Sequence, residues 1–189
     1  MNRREFGVGI AAFGLGSTAK GKPQTQIEKL QLSRNGWMPN NERLPVLLYR
    51  RAFRVDETID AMEETFQRSL WPAQWRNGIY SFHHYHSTAH EVLGFAAGSA
   101  QLILGGERGH SVTVTSGDVL VLPAGTGHCL VQADPAFLVI GAYPVGQHWD
   151  ICRSAPDPKT IDRMLTLPFP QSDPLAGKGG ELVHAWPTS

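Results

Sequence analysis

The segment between Gly78 and Gly98 constrains this chain more than any other part of its sequence. His84 and His86 are separated by one residue, and Glu91 follows after a short polar stretch. In an extended strand successive side chains alternate between the two faces, so both imidazoles are expected to point the same way, with Glu91 beyond a turn on the next strand. Imidazole and carboxylate groups are common ligands of divalent metal ions. The spacing therefore predicts that these three side chains meet at one metal site.

A second segment that begins with a glycine supplies a fourth potential ligand. Gly117 is followed by a Pro-Ala-Gly turn at 123–125 and then by His128, at the expected start of another strand. We expect the His128 imidazole to join the first three ligands. Three imidazoles and one carboxylate would then surround one point.

The two segments together resemble the two signature motifs of the cupin superfamily, at each glycine, histidine, glutamate and proline of the pattern. This resemblance implies an all-β, single-domain jelly-roll barrel, a double-stranded β-helix with one or two flanking helices. It also implies that one divalent metal ion is held by His84, His86, Glu91 and His128. The chain departs from the pattern at Gln132, where many cupins have an asparagine, but this position is not a metal ligand in the family.

Residues outside the two motifs narrow the resemblance to the YjlB-like cupins. The matching stretches are 75–79, 141–144, 173–175 and 179–180, and the resemblance covers roughly residues 36 to 186. It implies a fold and a metal site but no particular substrate.

The rest of the sequence agrees with a small β-barrel. Short apolar and β-branched segments, separated by glycine-containing turns, are typical of all-β sandwiches and barrels. One amphipathic helix is expected at 56–71, capped by Asp56, with its apolar stripe against the outside of the barrel. A second, short helix is expected at 157–164. The predicted strands are 79–86, 91–97, 99–104, 111–115, 118–122, 128–133 and 137–143, preceded by an edge strand at 44–49.

Composition excludes several classes of partner. A chain of 189 residues with 41% hydrophobic and 18% charged residues has the size and character of one globular domain. Its formal net charge is zero and it has no basic run, so there is no electrostatic case for nucleic acid or for an anionic membrane surface. It also lacks the run of about eighteen apolar residues that a membrane-spanning helix needs.

The amino terminus differs from the remainder of the chain. Arg3 and Arg4 precede a weakly apolar, glycine-rich run that ends in small residues. This pattern resembles a twin-arginine export signal and predicts a periplasmic or otherwise extracytoplasmic protein. The alternative is a tail in which the two arginines are coincidental, on a cytoplasmic protein. The expected boundaries are a signal peptide at 1–19, a linker at 20–35 and the cupin domain at 36–189.

Tyr80 and Phe82 share strand parity with His84 and His86, so we expect their rings to line the cavity around the metal. Gln132 is a further candidate for this lining. An apolar wall beside a metal suits a small, partly apolar organic ligand. The alternative is that both rings simply fill the core.

Other histidines and cysteines near the ligands are expected outside the site. Strand alternation turns His83 and Cys129 away from the metal, and the same argument applies with less force to His90. Cys129 and Cys152 are the only cysteines, and two do not make a disulfide scaffold. We expect unlinked thiols, although export would allow the two to pair.

Four protein ligands leave one or two positions of a first-row metal open, which indicates chemistry at the metal. The ligand types permit Fe, Mn, Ni, Zn or Cu. Iron or manganese would favour a metal-dependent oxidoreductase or dioxygenase-like enzyme acting on a small organic substrate. Zinc or nickel would favour a Lewis-acid isomerase or lyase, and the competing class is a non-catalytic metal- or ligand-binding cupin. The resemblance also makes a homodimer the expected assembly.

Overall fold

The structure is a computed structural model that describes residues 25–55 and 59–186. Within these residues it contains nine strands and three helices. The strands are β1 (Gln26–Leu30), β2 (Val46–Arg50), β3 (Ala73–Asn77), β4 (Glu91–Ala97), β5 (Ser99–Leu104), β6 (His110–Thr115), β7 (Val119–Leu122), β8 (His128–Ala133) and β9 (Leu138–Ala142). The helices are α1 (Ile59–Arg68), α2 (Pro158–Leu165) and α3 (Glu181–Ala185).

The strands form two antiparallel sheets that enclose one core. The larger sheet has the order β1-β2-β7-β4-β9-β3, and the smaller has the order β6-β5-β8. Every strand pairing in the described residues is antiparallel. This arrangement confirms the expected all-β, single-domain jelly roll.

The four inner strands of the larger sheet, β2, β7, β4 and β9, are largely apolar on both faces because both faces are covered. In β7, Leu120 and Leu122 face the barrel interior, whereas Val119 and Val121 pack outward. The outward layer includes side chains from α1 and from the carboxyl-terminal segment. Burial on two faces explains why this strand has a continuous apolar run without polar alternation.

Helix α1 packs against the outside of the barrel, as its apolar stripe predicts. Met62 and Phe66 are buried in the outward layer. Leu70, an apolar residue of the predicted helix 56–71 that was expected in this stripe, lies beyond the end of α1 and is 50% exposed, so the prediction is wrong there. The predicted cap, Asp56, lies outside the described residues. Helix α2 begins as expected, because the Asp157 carboxylate accepts a hydrogen bond from the backbone N–H of Thr160 at 2.7 Å.

The close approach of α1 to the sheet depends on Gly94. A Cβ atom at this position would lie 2.5 Å from Met62 Sδ and 2.9 Å from Phe66 Cε2. Because Phe66 is fully buried and its ring cannot move into free space, we expect Gly94→Ala to lower the free energy of unfolding by about 1–3 kcal/mol. Chemical denaturation measures this. Gly179→Ala is the matched control, since a Cβ there meets nothing within 4 Å, and equal losses in the two variants would contradict the packing argument.

The structure corrects two predictions at the amino-terminal side of the domain and adds a strand that the sequence did not predict. The linker prediction for 20–35 is wrong for 26–30, which forms β1 and pairs with β2. The expected edge strand at 44–49 lies instead between β1 and β7. Strand β3 was not predicted at all. Strands β1 and β3 are largely exposed, so they lack the apolar alternation by which strands are recognised.

The predicted strand at 79–86 is also wrong for most of its length. Residues 79–83 are irregular, and only His84 and Tyr85 form isolated bridges. The His84 bridge pairs with His128 and the Tyr85 bridge pairs with Cys152. Tyr80 O accepts a hydrogen bond from the Leu130 backbone N–H at 2.9 Å, but no bridge forms at 81–83, so no continuous ladder extends to the earlier residues.

The predicted export signal at 1–19 lies outside the described residues. Within the described part of the chain, no helix combines the length and the apolar character required to cross a membrane.

Candidate metal centre

The structure brings the four predicted ligands together at the interior of the barrel. One ligand nitrogen from each of His84, His86 and His128 lies within 4.8 Å of the other two. The Glu91 carboxylate adjoins this cluster, with Oε1 3.3 Å from His86 Nε2 and Oε2 3.4 Å from His128 Nε2. All four side chains are buried. Glu91 begins β4 and His128 begins β8, while the other two histidines come from the bridged segment between β3 and β4.

The ring orientation of each histidine leaves one nitrogen available to a metal. Each Nδ1 atom lies at hydrogen-bond distance from a backbone carbonyl oxygen, which can only accept. In the neutral form of each ring the proton therefore resides on Nδ1, which leaves the lone pair of Nε2 free. Such a carbonyl partner is the usual way in which proteins orient metal-binding imidazoles. The acceptors are Phe82 O for His84 (3.1 Å), Thr126 O for His128 (3.1 Å) and Asp150 O for His86.

Only one of the two oxygen atoms of the Glu91 carboxylate has a hydrogen-bond partner. Its Oε1 accepts a hydrogen bond from the Tyr143 hydroxyl at 2.5 Å, and the Trp75 indole N–H donates to that hydroxyl at 2.9 Å. Its Oε2 is buried and has no hydrogen-bond partner. A buried carboxylate oxygen without a partner is costly. A divalent cation between this oxygen and the free imidazole nitrogens would satisfy it, so the residues present fit a metal ion.

The protonation of the cluster is also suited to a cation. Burial lowers the pKa of His84 and lowers that of His128 to about 3, so both rings are neutral at neutral pH. Burial by itself would raise the pKa of Glu91, but the neighbouring His86 and His128 outweigh it and lower that pKa to about 2. Burial opposes protonation of His86 as well, yet the Glu91 carboxylate outweighs it and raises the His86 pKa. A cation therefore meets two neutral imidazoles and a charged carboxylate.

A polar group that the sequence pattern did not reveal holds the His86 segment. The backbone carbonyl of Asp150 contacts His86 Nδ1. The Asp150 carboxylate accepts two hydrogen bonds from Ser87, one from the backbone N–H at 2.6 Å and one from the side-chain hydroxyl at 2.5 Å. The Arg163 guanidinium donates to the same serine oxygen at 2.5 Å. Asp150 lies far from His86 in sequence, so only the folded loops bring the two together.

A cavity of about 290 Å³ opens on the histidine cluster. Tyr80 lines it, as predicted, and is 49% exposed. The prediction is wrong for Phe82, which stacks on Tyr80 with ring centroids 4.7 Å apart but does not line the cavity. Strand parity fails here because residues 79–83 are not a strand, and Ile79 lines the cavity instead.

Gln132 does not line this cavity, and that prediction is wrong. The final residues of β8 are exposed, and Gln132 borders a separate surface cavity with Ser99 and Thr113. The aromatic residues that do face the histidines, besides Tyr80, were not assigned from sequence. Trp75, Tyr143 and Trp149 line the cavity, and the rings of Tyr143 and Trp149 contact the His86 ring.

The neighbouring histidines and cysteines lie outside the cluster, as expected. His83 Nε2 contacts Cys129 Sγ at 3.6 Å, and His90 Nδ1 accepts a hydrogen bond from the Ala124 backbone N–H at 3.0 Å. Cys129 and Cys152 are free thiols, which confirms the expectation of unlinked cysteines.

The Tyr143 hydroxyl is predicted to support metal binding through Glu91. Tyr143→Phe removes the hydrogen bond to Glu91 Oε1, and loss of such a partner typically weakens metal affinity by about 10–100-fold. Competition with a metal indicator measures the affinity. Tyr85→Phe is the matched control, because the Tyr85 hydroxyl donates to Ser154 O at 3.0 Å, away from the ligands. Equal affinities in the two variants would show that Tyr143 does not position Glu91.

Comparison with known proteins identifies a relative. No family model matches the chain. The uncharacterized protein YjlB of Bacillus subtilis (strain 168) is 32% identical over 154 residues, which cover 80% of this chain and 92% of YjlB.

Solved structures give weaker similarities. An acireductone dioxygenase from Bacillus anthracis with cadmium in its active centre is 16% identical, with a TM-score of 0.37 over 49% of this chain and 62% of that one. A DUF861 family protein from Thermotoga maritima is 19% identical, with a TM-score of 0.32 over 45% of this chain and 90% of that one. Scores this low support no argument about function. The identity to YjlB over most of both chains, together with the two motifs and the jelly roll, shows that this protein belongs to the YjlB-like cupins of the cupin superfamily.

Proposed function

We propose that this protein binds one divalent metal ion through His84, His86, Glu91 and His128 and uses it to oxidise a small organic molecule. The observation that carries the proposal is the group of three buried imidazoles at a cavity, beside a carboxylate oxygen that has no hydrogen-bond partner. The combination of imidazole and carboxylate ligands suits iron or manganese, as well as nickel, zinc or copper.

The access to the ligands favours a reactive metal over a structural one. Structural sites are closed by protein ligands on every side, whereas reactive sites keep a position open. Here the nitrogen and oxygen ligands adjoin a cavity rather than solid core. Four protein ligands leave about two positions of a six-coordinate ion for substrate or dioxygen.

The chain's own residues prepare this site in three ways. Backbone carbonyls hold the three rings with Nε2 directed at the cluster, so little reorganisation is needed when the metal binds. The Trp75–Tyr143 pair holds Glu91 Oε1. The aromatic cavity wall limits the water around a bound molecule. A redox-active metal, when bound, would supply the electron transfer that oxidation requires.

Metal identity and oxygen consumption together test the proposal. Protein purified without metal-affinity chromatography should contain about one equivalent of iron or manganese by elemental analysis. The loaded protein should consume oxygen with at least one member of a panel of phenols, enediols and carboxylic acids. Zinc or nickel, without oxygen consumption, would instead favour an isomerase or lyase. Saturable binding without turnover for each metal tried would favour a binding protein.

We also propose a cellular location and an oligomeric state for this protein. The paired arginines at the amino terminus favour export, which cell fractionation tests. Edge-strand pairing in related barrels favours a homodimer, and light scattering on the purified protein measures its mass in solution.

A further inference from the structure

We propose that the cavity selects a flat aromatic molecule with two neighbouring oxygen atoms and no more than one negative charge, such as a catechol, over a small dicarboxylate. This inference rests on the proposed metal centre, because the two oxygen atoms would occupy its open positions. It adds the class of substrate, which the ligand set alone does not give.

Aromatic rings lie directly against two of the three histidines. The Tyr80 ring meets the His84 ring edge to face, with centroids 5.3 Å apart. The Trp149 ring meets the His86 ring in the same manner at 6.0 Å. Both rings line the cavity, so a molecule bound at the histidines would contact ring surface from two separate segments of the chain. Rings of this kind favour a flat, apolar partner.

The two rings are held in place, although they are partly uncovered. Trp149 is 38% exposed, stacks on Tyr143 at 5.9 Å with an interplanar angle of 19°, and donates its indole N–H to Gln74 Oε1 at 3.1 Å. Tyr80 is 49% exposed and stacks on Phe82. Covering these surfaces with a ligand ring removes apolar area from water without ordering new side chains, which favours binding.

The charges around the cavity disfavour a dianion. The lining found among the described residues includes Glu91 but neither lysine nor arginine. A divalent ion and the Glu91 carboxylate together leave one uncompensated positive charge. A ligand with a single negative charge neutralises it, whereas a dicarboxylate leaves a net negative charge in a buried site, which is unfavourable.

The nearby arginines are engaged elsewhere. Arg76 Nε lies 2.5 Å from Glu63 Oε1, and its guanidinium also approaches Asp60. The Arg153 guanidinium lies 4.0 Å above the Phe82 ring, outside the cavity lining. Neither residue contributes a cation to the cavity surface.

The volume agrees with a molecule of one ring. About 290 Å³ lies just below the range of roughly 300–1,000 Å³ that is usual for small-molecule pockets. A single ring with two oxygen substituents fits within this volume.

Calorimetry with two probes tests the inference. The full chain is loaded with Zn²⁺, which is redox-inert. Separate samples are titrated without oxygen, one with catechol and one with oxalate. The zinc content of the protein is measured before and after each titration. Catechol should bind at least about tenfold more tightly than oxalate. Trp149→Leu should weaken catechol binding by about threefold to tenfold, whereas Trp149→Phe, which keeps a ring, should restore most of it. Trp37→Leu, a tryptophan outside the cavity, should have no effect.

The outcomes separate this inference from the metal centre. Tighter binding of oxalate in zinc-loaded protein, or catechol binding that is insensitive to Trp149→Leu, overturns the aromatic selectivity and leaves the metal centre standing. Oxalate binding that is lost in Arg153→Ala would also overturn it and would assign anion recognition to that arginine. Failure to bind zinc at all overturns both proposals.

Discussion

Replacing His86 with alanine should abolish metal binding and, with it, the thermal stabilisation that the metal confers on the folded protein. His86 supplies one of the three clustered imidazoles and also contacts the Glu91 carboxylate. A ligand that binds only the folded state stabilises it by about 2.7 kcal/mol at a hundredfold excess over its dissociation constant. We expect this increase in the wild type and none in His86→Ala. Melting curves with and without added Zn²⁺, together with elemental analysis, measure both effects.

His83→Ala is the matched control for this experiment. His83 is adjacent to His84 in sequence, but its Nε2 faces Cys129 Sγ at 3.6 Å rather than the cluster. It should retain about one equivalent of metal and the melting-temperature increase. If metal left the melting temperature of the wild type and of both variants unchanged, the assigned site would be refuted.

Asp173→Ala should produce the largest loss of stability in the metal-free protein. The wholly buried Asp173 carboxylate accepts hydrogen bonds from the Tyr49 hydroxyl and from the backbone N–H groups of Leu175 (2.8 Å), Ala176 (2.9 Å) and Leu182 (3.0 Å). Alanine leaves these donors without a partner, and each buried unpaired donor costs about 1–3 kcal/mol. We expect the free energy of unfolding to fall by about 3–5 kcal/mol, as measured by urea denaturation without metal.

Asp157→Ala is the control that separates the loss of the buried Asp173 hydrogen bonds from a general effect of replacing an aspartate. Asp157 caps helix α2 from an exposed position, so its replacement should cost only about 1 kcal/mol. A loss of similar size in both variants would mean that Asp173 does not anchor the carboxyl-terminal segment to β2. The larger loss would explain why the stretch 173–175 is among those that resemble the YjlB-like cupins.

The strands that the sequence predicted correctly are those with a buried side. The predicted bounds 91–97, 99–104 and 128–133 coincide with β4, β5 and β8. In these strands the positions of apolar and polar residues indicate which side chains contact the core. Turn residues mark where each strand begins and ends. Strands β1 and β3 expose most of their side chains and join the sheet through backbone hydrogen bonds to β2 and β9. Backbone pairing of this kind leaves almost no pattern in the side chains.

The sequence by itself indicated which four side chains meet. Alternation and a short turn, which are local properties of the backbone, relate His84, His86 and Glu91, and the second cupin-like motif supplied His128. It did not determine the cavity wall, since parity fails in the irregular residues 79–83 and Ile79 replaces Phe82 there. Only the tertiary structure decided that Asp150 and Tyr143 hold the ligands and that Trp149 faces them. These residues follow β9, far from the histidines in sequence. The packing of the loops, rather than the spacing of residues, brings them to the buried ligands.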